Sequence, residues 1–231
     1  MAVRKKGLLT VIGLVIAAFV FLGVAYWLIV RMGGPEAEQW MEDSWETFRQ
    51  FLLAHEFWLF AAIAVLPAFV LPVAPLLTLA GYWGKDEGVW LACGYSALAV
   101  IVNLSWTYWL ATGPGRRIVE FILSHTKYEI PEPDKENELS WALILRLTPG
   151  VPFIFTNYAL GLIGMPFLRY FLVSAPVLAV TAGGYVLIFA GIFGGGWKYF
   201  GMGLSVIVVL AVVARMVSRE KDSLDDEDEH A

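Results

Sequence analysis

The chain has 231 residues, of which 58 % are hydrophobic and only 16 % charged, with a formal net charge of −5. Soluble domains carry about a quarter charged residues, so with a mean hydropathy of +0.66 the expected solvent is lipid. The acidic balance comes with no basic stripe or stacking platform, which sets nucleic acid aside as a partner.

Arg4, Lys5 and Lys6 precede Leu8–Val30, a 23-residue stretch without a charged side chain. At ~1.5 Å per residue it reaches about 35 Å, enough to cross a hydrocarbon core of ~30 Å. A cleaved signal peptide has a shorter apolar region and small residues at its end, whereas this run ends near Tyr26, Trp27 and Leu28. Residues 1–34 are therefore expected to hold an uncleaved first span.

Residues 35–56 differ in kind. Met41, Trp45, Phe48 and Leu52 fall at helical spacing, with Glu38, Glu42, Asp43 and Glu46 largely off that stripe. The pattern predicts an amphipathic interfacial helix, or a short helix packed on the protein itself. Phe57–Gly84 is apolar but broken by Pro67, Pro72 and Pro75, then by Gly81 and Gly84. Each proline removes a helical hydrogen bond, so the segment reads as a helix pair that enters the bilayer and turns back.

Val89–Thr112 reads as a full span with Asn103, Ser105 and Thr107 as polar interruptions. The only cysteine, Cys93, lies in it, which leaves no intramolecular disulfide and no thiolate metal site. A short interfacial helix is expected over Gly113–Lys127 and an exposed loop over Tyr128–Leu139. Trp141–Gly164 repeats the broken pattern with Pro149, Gly150 and Pro152, and holds Arg146 inside its apolar run. Two further spans, about Leu168–Phe193 and Tyr199–Val217, turn at Gly194-Gly195-Gly196. Residues 218–231 are acidic and expected to be disordered.

Four spans and two returning segments put both termini on one side. With the termini inside, Arg4, Lys5, Lys6, Arg116, Arg117, Lys127, Lys135, Arg169, Arg215, Arg219 and Lys221 lie inside. Only Arg31, Arg49, Lys85 and Lys198 lie outside, eleven against four. If both broken segments crossed fully the balance would be seven against eight, so charge counting favours the returning arrangement. The two segments also resemble each other. Pro72-Val-Ala-Pro75 precedes Gly81-Tyr-Trp-Gly84, and Pro149-Gly-Val-Pro152 precedes Gly161-Leu-Ile-Gly164. One would enter from each side, as in inverted-repeat transporters.

Arg146-Leu-Thr-Pro149-Gly-Val-Pro152-Phe153 and Asn157-Tyr-Ala-Leu-Gly161 resemble the second signature of the DedA superfamily, closest to its VTT-domain, or SNARE-associated Golgi, branch. Leu71-Pro72 through Ala80-Gly81 to Gly84 is similar to the upstream signature, and Gly115-Arg116 to the Gly-Arg that closes the next span. The likeness covers roughly residues 60–195. It implies two opposed re-entrant helical hairpins and movement of a lipid across the bilayer. Many members carry a second arginine where this chain has Pro152, and an acidic residue where it has Val65 and Leu66. The resemblance therefore implies lipid translocation broadly, with undecaprenyl phosphate one candidate cargo.

Arg146 is the leading candidate for headgroup contact, because a guanidinium stays charged and its planar fork suits phosphate. Burying it in lipid costs at least ~2.5 kcal/mol on insertion scales. The alternative is a side chain that snorkels to the inner interface. Asn157 and Asn103 would bond a headgroup or tie the broken helices together. Pro72, Pro75, Pro149, Gly150 and Pro152 would frame the site, more as architecture than as contacts. Asp86 and Glu87 are candidates for proton coupling beside Lys85. His55, His125 and His230 are scattered, so neither an enzyme nor a metal or other cofactor is expected.

The expectation is an all-α integral membrane protein with four transmembrane helices, two opposed re-entrant hairpins and interfacial amphipathic helices. Residues 57–197 would form its core, with re-entrant segments at 57–84 and 141–164, and 198–217 its last span. It would sit in the plasma membrane with both termini cytoplasmic and move an anionic lipid. A proton- or ion-coupled small-solute transporter and a non-transporting scaffold are the alternatives, and a homo-oligomer is left open.

Overall fold

The computed structural model describes residues 2–69, 71–117, 138–147 and 153–229, and every element among them is helical. A helix satisfies its own backbone polar groups, which is what an apolar solvent demands. The chain divides into two units, residues 1–55 and 56–231.

Helix α1 (Ala2–Ala54) makes the first unit. It breaks at Gly34, where φ is 63° and ψ −161°, and Pro35 restarts it. Proline suits a first helical position because the N–H it lacks would have no partner there. Just before the break, the Arg31 guanidinium lies 4.9 Å from the centre of the Trp27 ring. Beyond it, Trp45 and Phe48 of the predicted stripe are exposed, and so are Trp40 and Phe51. On the polar side, Arg49 Nε and Nη2 donate to Glu46 at 2.8 and 2.6 Å, and Gln50 Nε2 donates at 2.8 Å. Those bonds, Arg49's first, hold the Glu46 carboxyl down to about 2.

The second unit opens with α2 (Glu56–Val65), a tight 3-10 turn (Leu66–Phe69) and α3 (Ala74–Glu87). Pro67 lies in the turn, Pro72 in the non-helical link, and Pro75 in the first turn of α3. Helix α3 ends at Gly88, whose φ of 126° admits no ordinary side chain and whose N–H donates to the Gly84 carbonyl at 3.0 Å. Helix α4 (Val89–Leu110) follows and widens into a π turn (Ala111–Gly115) at Pro114. Pro114 cannot donate to the carbonyl four residues back, and the wider turn absorbs the missing bond. The helical run thus extends past Thr112, where the sequence reading ends the span.

The interfacial helix expected over 113–127 and the loop over 128–139 fall mostly outside the described residues. Helices α5 (Glu138–Leu147) and α6 (Phe153–Leu162) flank Pro149, Gly150 and Pro152, which also lie outside them. Helix α7 (Phe167–Gly194) turns at Gly195 into α8 (Trp197–Glu229). The tail expected to be disordered continues this helix to Glu229. Arg, Glu, Lys and Leu favour helix, and a tail added to an existing helix needs propagation only, without a new nucleus.

Among the described residues two helical runs, Val89–Gly115 and Phe167–Gly194, are long and apolar enough to cross a membrane, and a third if one bent helix pair counts as a single span. The sequence reading expects four. The side chains of 8–22 lie outside the described residues, and the apolar part of α8, Trp197–Val213, is shorter.

Each half's short helix packs on the other half's long one. A Cβ on Gly81 of α3 would stand 2.7 Å from Phe189 Cβ and 3.0 Å from Ala190 N, both on α7. A Cβ on Gly161 of α6 would stand 2.5 Å from Ala111 Cβ, at the end of α4. Around the first crossing, Val89, Leu187 and Ala190 form a buried cluster with Cys93 and Tyr199 against it. Overpacking such a contact costs about 1–3 kcal/mol. Gly81→Ala and Gly161→Ala should each lower the melting temperature of the detergent-solubilised protein. Gly201→Ala, at a position with nothing within 4 Å of a new Cβ, should leave it unchanged or raised.

Candidate functional site: a buried guanidinium

Arg146 lies in the last turn of α5 and turns inward, with only 9 % of its surface exposed. It does not snorkel. Its Nε donates to Ser174 Oγ at 2.9 Å, and its Nη1 donates to Thr156 Oγ1 and to Asn157 Oδ1, both at 2.6 Å. The guanidinium carbon lies 5.3 Å from the centre of the Tyr170 ring. Thr156 and Asn157 are neighbours on α6, while Tyr170 and Ser174 stand one turn apart on α7. Three helices therefore converge on one cation through neutral oxygens and an aromatic face.

The magnitudes explain how the charge is tolerated. Hydrogen bonds to a charged group contribute about 1.5–3 kcal/mol each, and a desolvated cation–π contact about 2. Together they offset an insertion cost of a few kcal/mol.

The network runs on into the first half. Asn157 Nδ2 donates to Thr107 Oγ1 at 3.1 Å and, at the long distance of 3.5 Å, to Asn103 Oδ1. Thr107 Oγ1 donates to the Asn103 carbonyl at 2.6 Å. Asn103 Nδ2 donates to the Ala64 carbonyl at 2.9 Å, and Trp106 Nε1 donates to the same oxygen at 2.7 Å. That carbonyl sits where α2 tightens into the 3-10 turn. Its partner three residues on would be Pro67, which has no N–H to give. Tyr158 of α6 donates to the Ala68 carbonyl at 2.9 Å, a second tie between the two broken segments.

The structure thus brings together Arg146, Asn157 and Asn103 among the residues singled out in the sequence. Pro72 and Pro75 are exposed and outside these contacts. Asp86 and Glu87 are exposed at the end of α3, where Asp86 accepts from Lys85 Nζ and the Lys85 ammonium lies 4.5 Å from the Tyr82 ring centre. Thr156, Tyr170 and Ser174 were not expected in the site. The spacing of Tyr170 and Ser174, four apart on one helical face, was their only signal. Among the described residues no group of three His, Cys, Asp or Glu converges on a metal position.

The family model of the VTT domain matches residues 71–191, more than half the chain and every side chain of this network. The chain belongs to the VTT-domain family. This is the domain of the DedA and SNARE-associated Golgi proteins. No curated protein and no solved structure matches the chain. The VTT domain here begins just after the α2 break and closes near the end of α7, so it contains α3, α4, α5, α6 and nearly all of α7.

Within this VTT domain the described bonds rank the side chains. Asn157→Leu removes an acceptor from a buried cation and a donor from Thr107, and should cost about 2–3 kcal/mol. Asn103→Leu leaves the Ala64 carbonyl its bond from Trp106 and should cost less. Thermal melts of the two variants in the same detergent check the order.

Proposed function

We propose that this VTT-domain protein moves an anionic lipid across the bilayer, with Arg146 as the headgroup contact. The observation that carries the reading is the buried guanidinium itself, held by the neutral side chains of Ser174, Thr156 and Asn157. A guanidinium stays charged at any physiological pH, and its planar fork geometry matches phosphate oxygens. Membership of the VTT family supports a membrane role for that charge.

The topology that goes with this reading is four spans and two re-entrant hairpins in a plasma membrane, both termini cytoplasmic. Charge counting of eleven inside against four outside supports it. The crossed packing of α3 on α7 and α6 on α4 is what an inverted pair of halves would produce. The Asp86 and Glu87 carboxyls lie outside the buried network, so lipid movement in this scheme does not depend on them.

The experiment uses purified protein in liposomes of zwitterionic lipid doped with a fluorescent anionic phospholipid, read by quenching from outside. The protein should speed movement of the labelled lipid between leaflets. Arg146→Ala and Arg146→Lys should both return the rate to that of empty liposomes, because Lys cannot reproduce the planar fork. Size-exclusion profiles of both variants confirm folding. Equal rates for wild-type and empty liposomes would sink the proposal.

A further inference from the structure

The orientation of the Arg146 guanidinium is set from the opposite half of the molecule. Arginine only donates, so the Asn157 oxygen must face it, and the Asn157 amide nitrogen must face away. What lies on that far side is α4. Thr107 commits its own hydroxyl proton to carbonyls of its own helix, Asn103 at 2.6 Å and Leu104 at 3.2 Å, so the lone pair it turns to Asn157 accepts the amide N–H at 3.1 Å. The alternative amide orientation would point two N–H groups at a cation and an oxygen at an oxygen. Thr107 is 0 % exposed and Asn157 is 0 % exposed, so these bonds are shielded from bulk solvent.

The same turn of α4 also holds the aromatic face. Tyr170 OH donates to the Leu104 carbonyl at 3.2 Å, and the Tyr170 ring carries the guanidinium. Two carbonyls of neighbouring residues, Asn103 and Leu104, thus anchor both the acceptor in front of Arg146 and the ring beside it. Asn103 in turn reaches back to the Ala64 carbonyl at the first helix break.

We propose that Thr107 and Asn157 are positioning residues for Arg146: Thr107 fixes the Asn157 amide, and the amide fixes the guanidinium. Neither touches the lipid in this scheme. Its consequence for lipid movement rests on the reading of Arg146 as the headgroup contact. The coupling between Thr107 and Arg146 does not.

Two variants separate a hydrogen-bonding role from packing. Thr107→Val keeps the shape and loses the acceptor. Thr107→Ser keeps the acceptor and loses a methyl group. A packing role ranks Val above Ser, and a positioning role ranks Ser above Val.

In liposomes carrying either a labelled anionic or a labelled zwitterionic phospholipid, Thr107→Val should reduce the anionic-to-zwitterionic rate ratio by on the order of tenfold, the effect of one hydrogen bond at a charged site. Thr107→Ser should stay within about twofold of wild type, since the bond is retained. A second readout needs no transport. In thermal melts, Thr107→Val should lower the midpoint by roughly 2–4 °C in the wild-type background and by clearly less in the Arg146→Met background, where Asn157 no longer has a cation to face.

Equal losses in the two backgrounds, or Val matching wild type while Ser does not, would overturn the proposal. If wild-type protein moves neither lipid, the transport reading fails, and the melting comparison still decides the positioning role.

Discussion

A buried guanidinium has to be held on every side that water would have occupied, and that requirement organises the second unit of this chain. Arg146 donates to Ser174, Thr156 and Asn157 and lies beside the Tyr170 ring, so α5, α6 and α7 meet at one point. Asn157 then needs partners for its own amide protons, which recruits Thr107 and Asn103 of α4. Asn103 in turn donates to Ala64 at the end of α2. The polar chain threads a mostly apolar interior, and each link gives the previous one a donor or acceptor it needs.

The prolines that break the helices and the polar side chains that cross between them belong to one solution. A broken helix presents carbonyls without the usual donor, and in an apolar solvent such a group must find another. The Ala64 carbonyl takes Asn103 and Trp106, and the Ala68 carbonyl takes Tyr158 from the other half. Crossed helix packing through Gly81 and Gly161 brings those donors close enough. The first break is therefore tied to its own half through Asn103 and Trp106 and to the other half through Tyr158.

Much of this was legible in the sequence, and unevenly so. Hydropathy and the shortage of charge announced a helical membrane protein, and the paired Pro and Gly motifs pointed to the VTT family. Asn103, Arg146 and Asn157 stood out because an amide or a guanidinium in an apolar run is costly and needs a reason. Thr156 and Ser174 did not, because hydroxyls in apolar helices commonly bond a carbonyl one turn back. Ser105, Thr181 and Ser205 do that here, at 2.9, 2.7 and 2.8 Å. Thr107 makes such a bond too and still accepts from Asn157, a double use that spacing alone does not reveal. Pro72 and Pro75 carried a clear signal for a break, but a proline that shapes the backbone at an exposed link is not thereby a contact. The helical tail was missed for a different reason: its composition resembles a disordered segment, while its attachment to an apolar helix favours propagation.

The central claim is that Arg146 selects an anionic headgroup. Native mass spectrometry of the purified protein, titrated with an anionic phospholipid and its zwitterionic counterpart of equal chain length, tests it most directly. The account predicts that wild-type protein retains the anionic lipid preferentially and that Arg146→Gln loses this preference while keeping its fold. Equal retention of the two lipids by the wild-type protein, or an unchanged anionic preference in Arg146→Gln, would contradict it.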